Sequence, residues 1–176
     1  MKKIGILAAL FFFVLGCSKN EEKSASQNQE AQTVSADYSK TDFYFKLPSK
    51  NGGEIDLSNY KGKPVMVMFF TENCPYCLRA SGFIETIYQK YGPKGLEVIG
   101  ISTRGNIESA IEFEKKTGVK FQLAYKGVDI ARNYGIAGVP YVYILDKKHN
   151  LYKFWAGYDK SYESEIDQSA SKVLEL

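Results

Sequence analysis

The chain predicts an α/β fold with a mixed sheet, on three observations. The run Val65-Met66-Val67-Met68-Phe69-Phe70 is apolar throughout, as in a strand buried on both faces. Strand-like and helix-like segments alternate after it, the order that builds a sheet flanked by helices. Near the C-terminus two strand-like segments, 141–145 and 151–155, enclose a turn at 146–150 and read as a hairpin, which brings antiparallel pairing into the same sheet.

Taken in order, residues 43–47 (Phe-Tyr-Phe-Lys-Leu) are strand-like and stop at Pro48. Asn51-Gly52-Gly53 reads as a turn and 54–57 as a short strand, so the folded part opens with a hairpin. Lys61-Gly62-Lys63-Pro64 breaks the chain before the central strand at 65–70. A helix follows from Pro75 to about Tyr91, with Ile84, Ile87, Tyr88 and Tyr91 at helical spacing and Gly92-Pro93 as its stop. Residues 96–101 form the next strand. Asn106 is the expected cap of a helix through Ile107, Ala110 and Ile111, with Lys115 and Lys116 in its last turn and Gly118 after it. A short strand at 121–124 and a brief helix at 128–134 lead to Gly138-Val139-Pro140 and the hairpin. Ser161 is the expected cap of a last helix that aligns Tyr162, Ile166, Ala170 and Val173. No internal repeat is visible.

The N-terminus has a different character. Met1-Lys2-Lys3 is basic, and residues 4–15 are apolar but too few to span a bilayer as a helix. The run ends in Val14-Leu15-Gly16-Cys17, similar to the lipobox of bacterial lipoproteins, where the signal is cut before the cysteine and the thiol is acylated. The other readings are a cleaved signal with a free Cys17 thiol and an uncleaved anchor. Residues 18–37 are rich in Ser, Glu, Gln, Asn and Lys, and cannot bury a core. As a tether they reach about 25 Å on average. The expected division is therefore a signal peptide at 1–16, a lipidated Cys17 with a disordered tether at 17–37, and a folded domain at 38–176. Net charge is +3; without Lys2 and Lys3 it is 3 − 2 = +1, too little to argue for nucleic acid.

The chemistry concentrates in Cys74-Pro75-Tyr76-Cys77, where the central strand gives way to the first long helix. Pro75 suits the first helical position. Residues three apart share a helix face, so the two sulfurs come within disulfide reach. The helix N-terminus points free N–H groups and partial positive charge at Cys74, favouring its thiolate. Cys74 is thus the expected nucleophile and Cys77 the resolving thiol. A zinc site lacks ligands, since only Cys17 and His149 remain, both far along the chain. Covalent haem attachment needs His after the second Cys, where Leu78 stands. A purely structural disulfide this short would constrain little of the unfolded chain.

With Gly52-Gly53-Glu54-Ile55-Asp56-Leu57, Tyr60-Lys61-Gly62-Lys63-Pro64, the CPYC motif and Gly138-Val139-Pro140 in place, the chain resembles the TlpA/ResA-like group of thioredoxin-fold, membrane-tethered thiol-disulfide oxidoreductases, from about residue 43 to 155 and beyond. The resemblance implies a thioredoxin fold with an N-terminal β-hairpin extension. It implies a cis peptide at Pro140 facing the CxxC, and a Val139 backbone available to an extended substrate. Pro75, Tyr76, Val139 and Pro140 are the expected substrate contacts. It implies no dissociable cofactor, a monomer facing the periplasm or extracytoplasmic space, a membrane thiol electron donor, and exported proteins with disulfides or thiols as substrates, apocytochromes c among them. Two departures stand out. Asn73 occupies the place of a Trp common in relatives. Met68 and Ala80 stand where some relatives carry an acid, so no general base is assigned. Glu72 and Glu85 read as solvated charges, His149 as an exposed turn residue, Trp155 as hairpin packing and Arg79 as a solvated helix position. The rival readings are a thiol peroxidase, since Thr71-Glu72-Asn73-Cys74 fits Thr-x-x-Cys, a Cu(I) carrier using both thiolates, and an inert tethered domain.

Overall fold

The computed structural model describes residues 43–176. The signal, lipobox and tether readings, Cys17 included, lie outside the described residues. Among the described residues seven strands form a two-stranded hairpin and a five-stranded mixed sheet of order β5-β4-β3-β6-β7, and four α-helices accompany them. The hairpin pairs β1 (Lys46–Pro48) with β2 (Glu54–Asp56), Leu47 opposite Ile55.

β3 (Val65–Phe70) sits at the centre, and all six residues are buried. It runs parallel to β4 (Glu97–Ser102) and antiparallel to β6 (Tyr141–Leu145). β5 (Gln122–Ala124) extends the parallel side, and β7 (Leu151–Ala156) the antiparallel side. Strand alternation sends Met66, Met68 and Phe70 to one face and Val65, Val67 and Phe69 to the other. Each such side chain contributes about 1.5–3 kcal/mol by leaving water.

The first face is covered by α1 (Pro75–Tyr91), α2 (Ile107–Thr117) and α4 (Glu163–Val173). Ile84, Phe113 and Ile166 are their buried contacts, and Phe70 stacks on Phe113 with ring centroids 3.8 Å apart. The second face is covered by Phe43, Phe45, Leu47, Ile55 and Leu57 of the N-terminal segment, together with Ala131 of α3 (Val128–Asn133) and Tyr134. The extension therefore helps to complete the core, sharing the cover of this face with α3 and Tyr134.

Several local expectations shift. Only Lys46–Pro48 of the first strand pairs; Phe43 and Phe45 instead turn their side chains into the core. Asn106 sits at the N-cap of α2, but its side chain makes no capping bond. Ser161 is not the final cap. Asp159 accepts the Ser161 N–H at 2.8 Å, a 3-10 turn follows, and α4 begins at Glu163. His149 lies in the β6–β7 turn at φ 61°, half-buried, its Nε2 3.2 Å from the Tyr60 carbonyl oxygen. Trp155 is buried and donates to Glu165 at 2.8 Å, so it does pack the hairpin against α4. Among the described residues no helix is long and apolar enough to cross a membrane.

Candidate active site

The sheet register decides what meets at the site. Phe69 pairs with Tyr141, so the loop entering β6 lies opposite the exit of β3. Residues 138–140 and 71–74 therefore converge at one end of the sheet. Pro75 takes the first position of α1, where a missing N–H removes no helical bond. Cys74 is the N-cap, extended at φ −77° and ψ 113°. Its Sγ accepts the Cys77 N–H at 3.2 Å, and its own N–H donates to the Thr71 carbonyl at 3.2 Å. A sulfur thus takes the acceptor role that Ser or Asp oxygens take at most helix starts.

Cys74 and Cys77 form a disulfide with Cα atoms 5.1 Å apart, within the range such bonds require. The two sulfurs differ in access: Cys77 is fully buried against the first core face, while Cys74 is half-buried. The peptide Val139–Pro140 is cis. Cys74 Sγ lies 3.5 Å from the Val139 carbonyl oxygen, within reach of an S–H donor in the dithiol form. Pro140 carries no N–H, and its carbonyl accepts from Gly157 at 2.9 Å. Pro75 and Tyr76 are exposed, Tyr76 at 54%. A cavity of about 300 Å³ opens beside them, lined by Tyr76, Val139, Pro140, Gly157, Tyr158 and Tyr162. On the other flank of Val139 a cavity of about 220 Å³ is lined by Val128, Ala131, Ile136 and Ala137.

Cys74, Pro75, Tyr76, Cys77, Val139 and Pro140 thus come together at one end of the sheet. Met68 and Ala80 share the buried cluster that holds Cys77, and among the described residues no Asp, Glu, Lys, Arg or His is buried. Arg79 is exposed as expected, but its guanidinium stacks on the Tyr76 ring at 4.2 Å.

Glu72 departs from its solvated reading. Its side chain is only 15% exposed and accepts from Ser109 Oγ at 2.7 Å, with Arg104 Nε 3.9 Å away. The Ser109 hydrogen bond, opposed by burial, holds its carboxyl below the usual carboxylate range. Glu85 is half-buried and accepts the Lys120 N–H at 2.8 Å. Both contacts come from partners at least 35 positions away, which local spacing does not reveal.

Residues 41–154 match the model of the AhpC/TSA family. The chain belongs to the AhpC/TSA family. Relatives of this family member include the thiol-disulfide oxidoreductase ResA of Bacillus thuringiensis subsp. konkukian, 30% identical over 104 residues, which span 58% of this chain and 60% of that protein. The chloroplastic peroxiredoxin Q of Triticum aestivum is 32% identical over 113 residues, 59% of this chain and 52% of that one. A thiol:disulfide interchange protein of the thioredoxin family from Chlorobium tepidum superposes with TM-score 0.65 at 18% identity, over 74% of this chain and 93% of that one. This AhpC/TSA family member has the thioredoxin fold, with the N-terminal hairpin as an addition to it.

Proposed function

We propose that the protein is a thiol-disulfide oxidoreductase whose redox centre is Cys74–Cys77. One observation carries the reading: a half-exposed sulfur at a helix N-cap is paired with a fully buried one, beside the Val139 carbonyl. The helix N–H groups and dipole favour negative charge on Cys74. The Cys74 thiolate attacks a partner disulfide; the partner S–S bond breaks, a mixed disulfide forms, and the departing partner sulfur takes up a proton. Cys77, deprotonated, then attacks the Cys74 sulfur and releases the second partner thiol. The partner gains two electrons and the pair becomes the disulfide; a donor dithiol returns it to the reduced form. The ResA likeness supports this chemistry, and it spans 60% of that protein's length.

The setting belongs to the same proposal. Cys17 carries a lipid, residues 18–37 hold the domain off the membrane surface, and the pair acts on exported proteins outside the cytoplasm, apocytochromes c among them. A membrane thiol carrier supplies electrons. Pro75, Tyr76, Val139 and Pro140 contact the substrate, whose extended backbone lies along Val139.

A Cys77→Ser variant tests the reaction. It traps partner proteins as mixed disulfides on Cys74 that dithiothreitol releases, and Cys74→Ser traps none. Absence of adducts on Cys77→Ser overturns the reading. The peroxiredoxin Q likeness and Thr71 three residues before Cys74 favour a second reading, a thiol peroxidase. Saturable consumption of hydrogen peroxide by the reduced protein, without partner trapping, would establish it instead.

A further inference from the structure

Immediately before the nucleophile, the chain is tied down by a polar network that the exchange chemistry does not use. Ser109 Oγ on α2 donates to Glu72 Oε2 at 2.7 Å. Ser109 and Ser102, the last residue of β4, share a hydrogen bond at 2.5 Å, and both are buried. Ser102 Oγ also accepts the Arg104 N–H at 3.1 Å. From the far end of α2, Lys116 Nζ donates to the Glu72 carbonyl at 3.2 Å and to Asn73 Oδ1 at 2.7 Å. Arg104 Nε, 3.9 Å from Glu72 Oε2, and Lys116, 3.6 Å from Glu112, are the charged groups that complete the surround.

Two features set this network apart from an ordinary surface cluster. The carboxylate is largely withdrawn from water, which costs free energy unless hydrogen bonds replace the lost hydration. Its serine partners are buried in the seam between β4 and α2, so their positions are fixed by core packing. The anchored residues, 72 and 73, are the last two of the three that link the end of β3 to the helix N-cap. Whatever fixes them fixes whether Cys74 Sγ faces the Cys77 N–H or swings away. In this chain Asn73, tied to Lys116, stands directly before the nucleophile.

We infer that Glu72, held by Ser109, is a positioning residue for Cys74, keeping its sulfur in the N-cap position where the thiolate is favoured. The inference rests on the exchange reaction proposed for Cys74 and deepens it. Hydrogen-bond geometry carries the effect. A neutral acceptor at position 72 therefore serves as well as the carboxylate.

The test is the rate at which Cys74 of the reduced full-length chain reacts with a small aromatic disulfide across a range of pH. Peptide mass spectrometry separates Cys74 from Cys17 and Cys77. Glu72→Ala and Ser109→Ala are each expected to slow Cys74 by about three- to tenfold, the worth of one hydrogen bond. Glu72→Gln, which keeps the acceptor, stays within about twofold of the parent by the same measure. The double alanine variant is no slower than the slower single one, because the two residues act as a unit. Melting temperatures recorded alongside separate a staple from a positioning device: a staple lowers melting and leaves the rate unchanged. Parental rates in both alanine variants overturn the inference, as does a Glu72→Gln rate matching Glu72→Ala. If Ser109→Ala does not fold, the Glu72 pair decides alone. A parent Cys74 no faster than free cysteine would instead overturn the redox reading itself, so the two failures are distinguishable.

Discussion

At Cys74 the helix is capped by a sulfur, and this links folding to chemistry in one atom. Serine can take over the cap and alanine cannot, although both abolish the disulfide. Cys74→Ala is therefore expected to be about 1 kcal/mol less stable than Cys74→Ser in denaturant titrations, while both are inactive. Titrating side chains give a second prediction. Glu72 is held below its ordinary range chiefly by Ser109, and Glu165 by Lys153, then Trp155. A depressed carboxyl contributes stability that is present above its unfolded value, 4.5, and lost as pH falls through its lower folded value. Tyr158 has the opposite sign: burial and the Glu163 carboxylate push its hydroxyl from 10.0 up to about 12. Its contribution is present below pH 10 and lost as pH rises toward 12. Stability should thus fall at both ends of the pH range. Glu72→Gln should flatten the acid limb and Tyr158→Phe the alkaline one, as read from melting temperature against pH.

The strands and helices show where close packing leaves no room. Gly100 lies in β4, and a methyl group there would come 2.6 Å from Leu123 Cδ2 and 3.2 Å from Phe70 Cε1. Gly100→Ala is expected to destabilise by about 1–3 kcal/mol through overpacking. Phe113→Ala, which removes the ring stacked on Phe70, is expected to cost about 3–5 kcal/mol. Chemical denaturation measures both. At this scale the sequence was largely legible. The unbroken apolar run at 65–70 reads as a strand buried on both faces, as β3 is, and the CxxC with Pro75 and helical spacing beyond it located α1. What stayed hidden depends on distant partners. Glu72 looks like a solvated charge until α2 brings Ser109 against it, 37 positions away. Ser161 looked like a cap because serine often is one, but Asp159 two residues earlier captured its N–H. The strand-like pattern at 43–47 does not distinguish pairing from burial of Phe43 and Phe45.

For the whole molecule, residues 43–57 supply much of the cover of one sheet face, beside α3 and Tyr134. Removing residues 1–64 would expose Val65, Val67 and Phe69, and such a truncation is expected to lose its near-ultraviolet circular dichroism and its cooperative melting. The same architecture places Cys74 and Cys77 at one end of the sheet, with Cys77 backed by core and Cys74 facing the Val139 loop. The reduction potential of Cys74–Cys77 in the full-length chain, equilibrated against glutathione, tests most directly whether this arrangement reduces disulfides. The account predicts about −270 to −200 mV, in the range of thioredoxin and glutaredoxins. A value near −120 mV would mean an oxidant, and one below about −300 mV an inert structural disulfide; either would contradict the account.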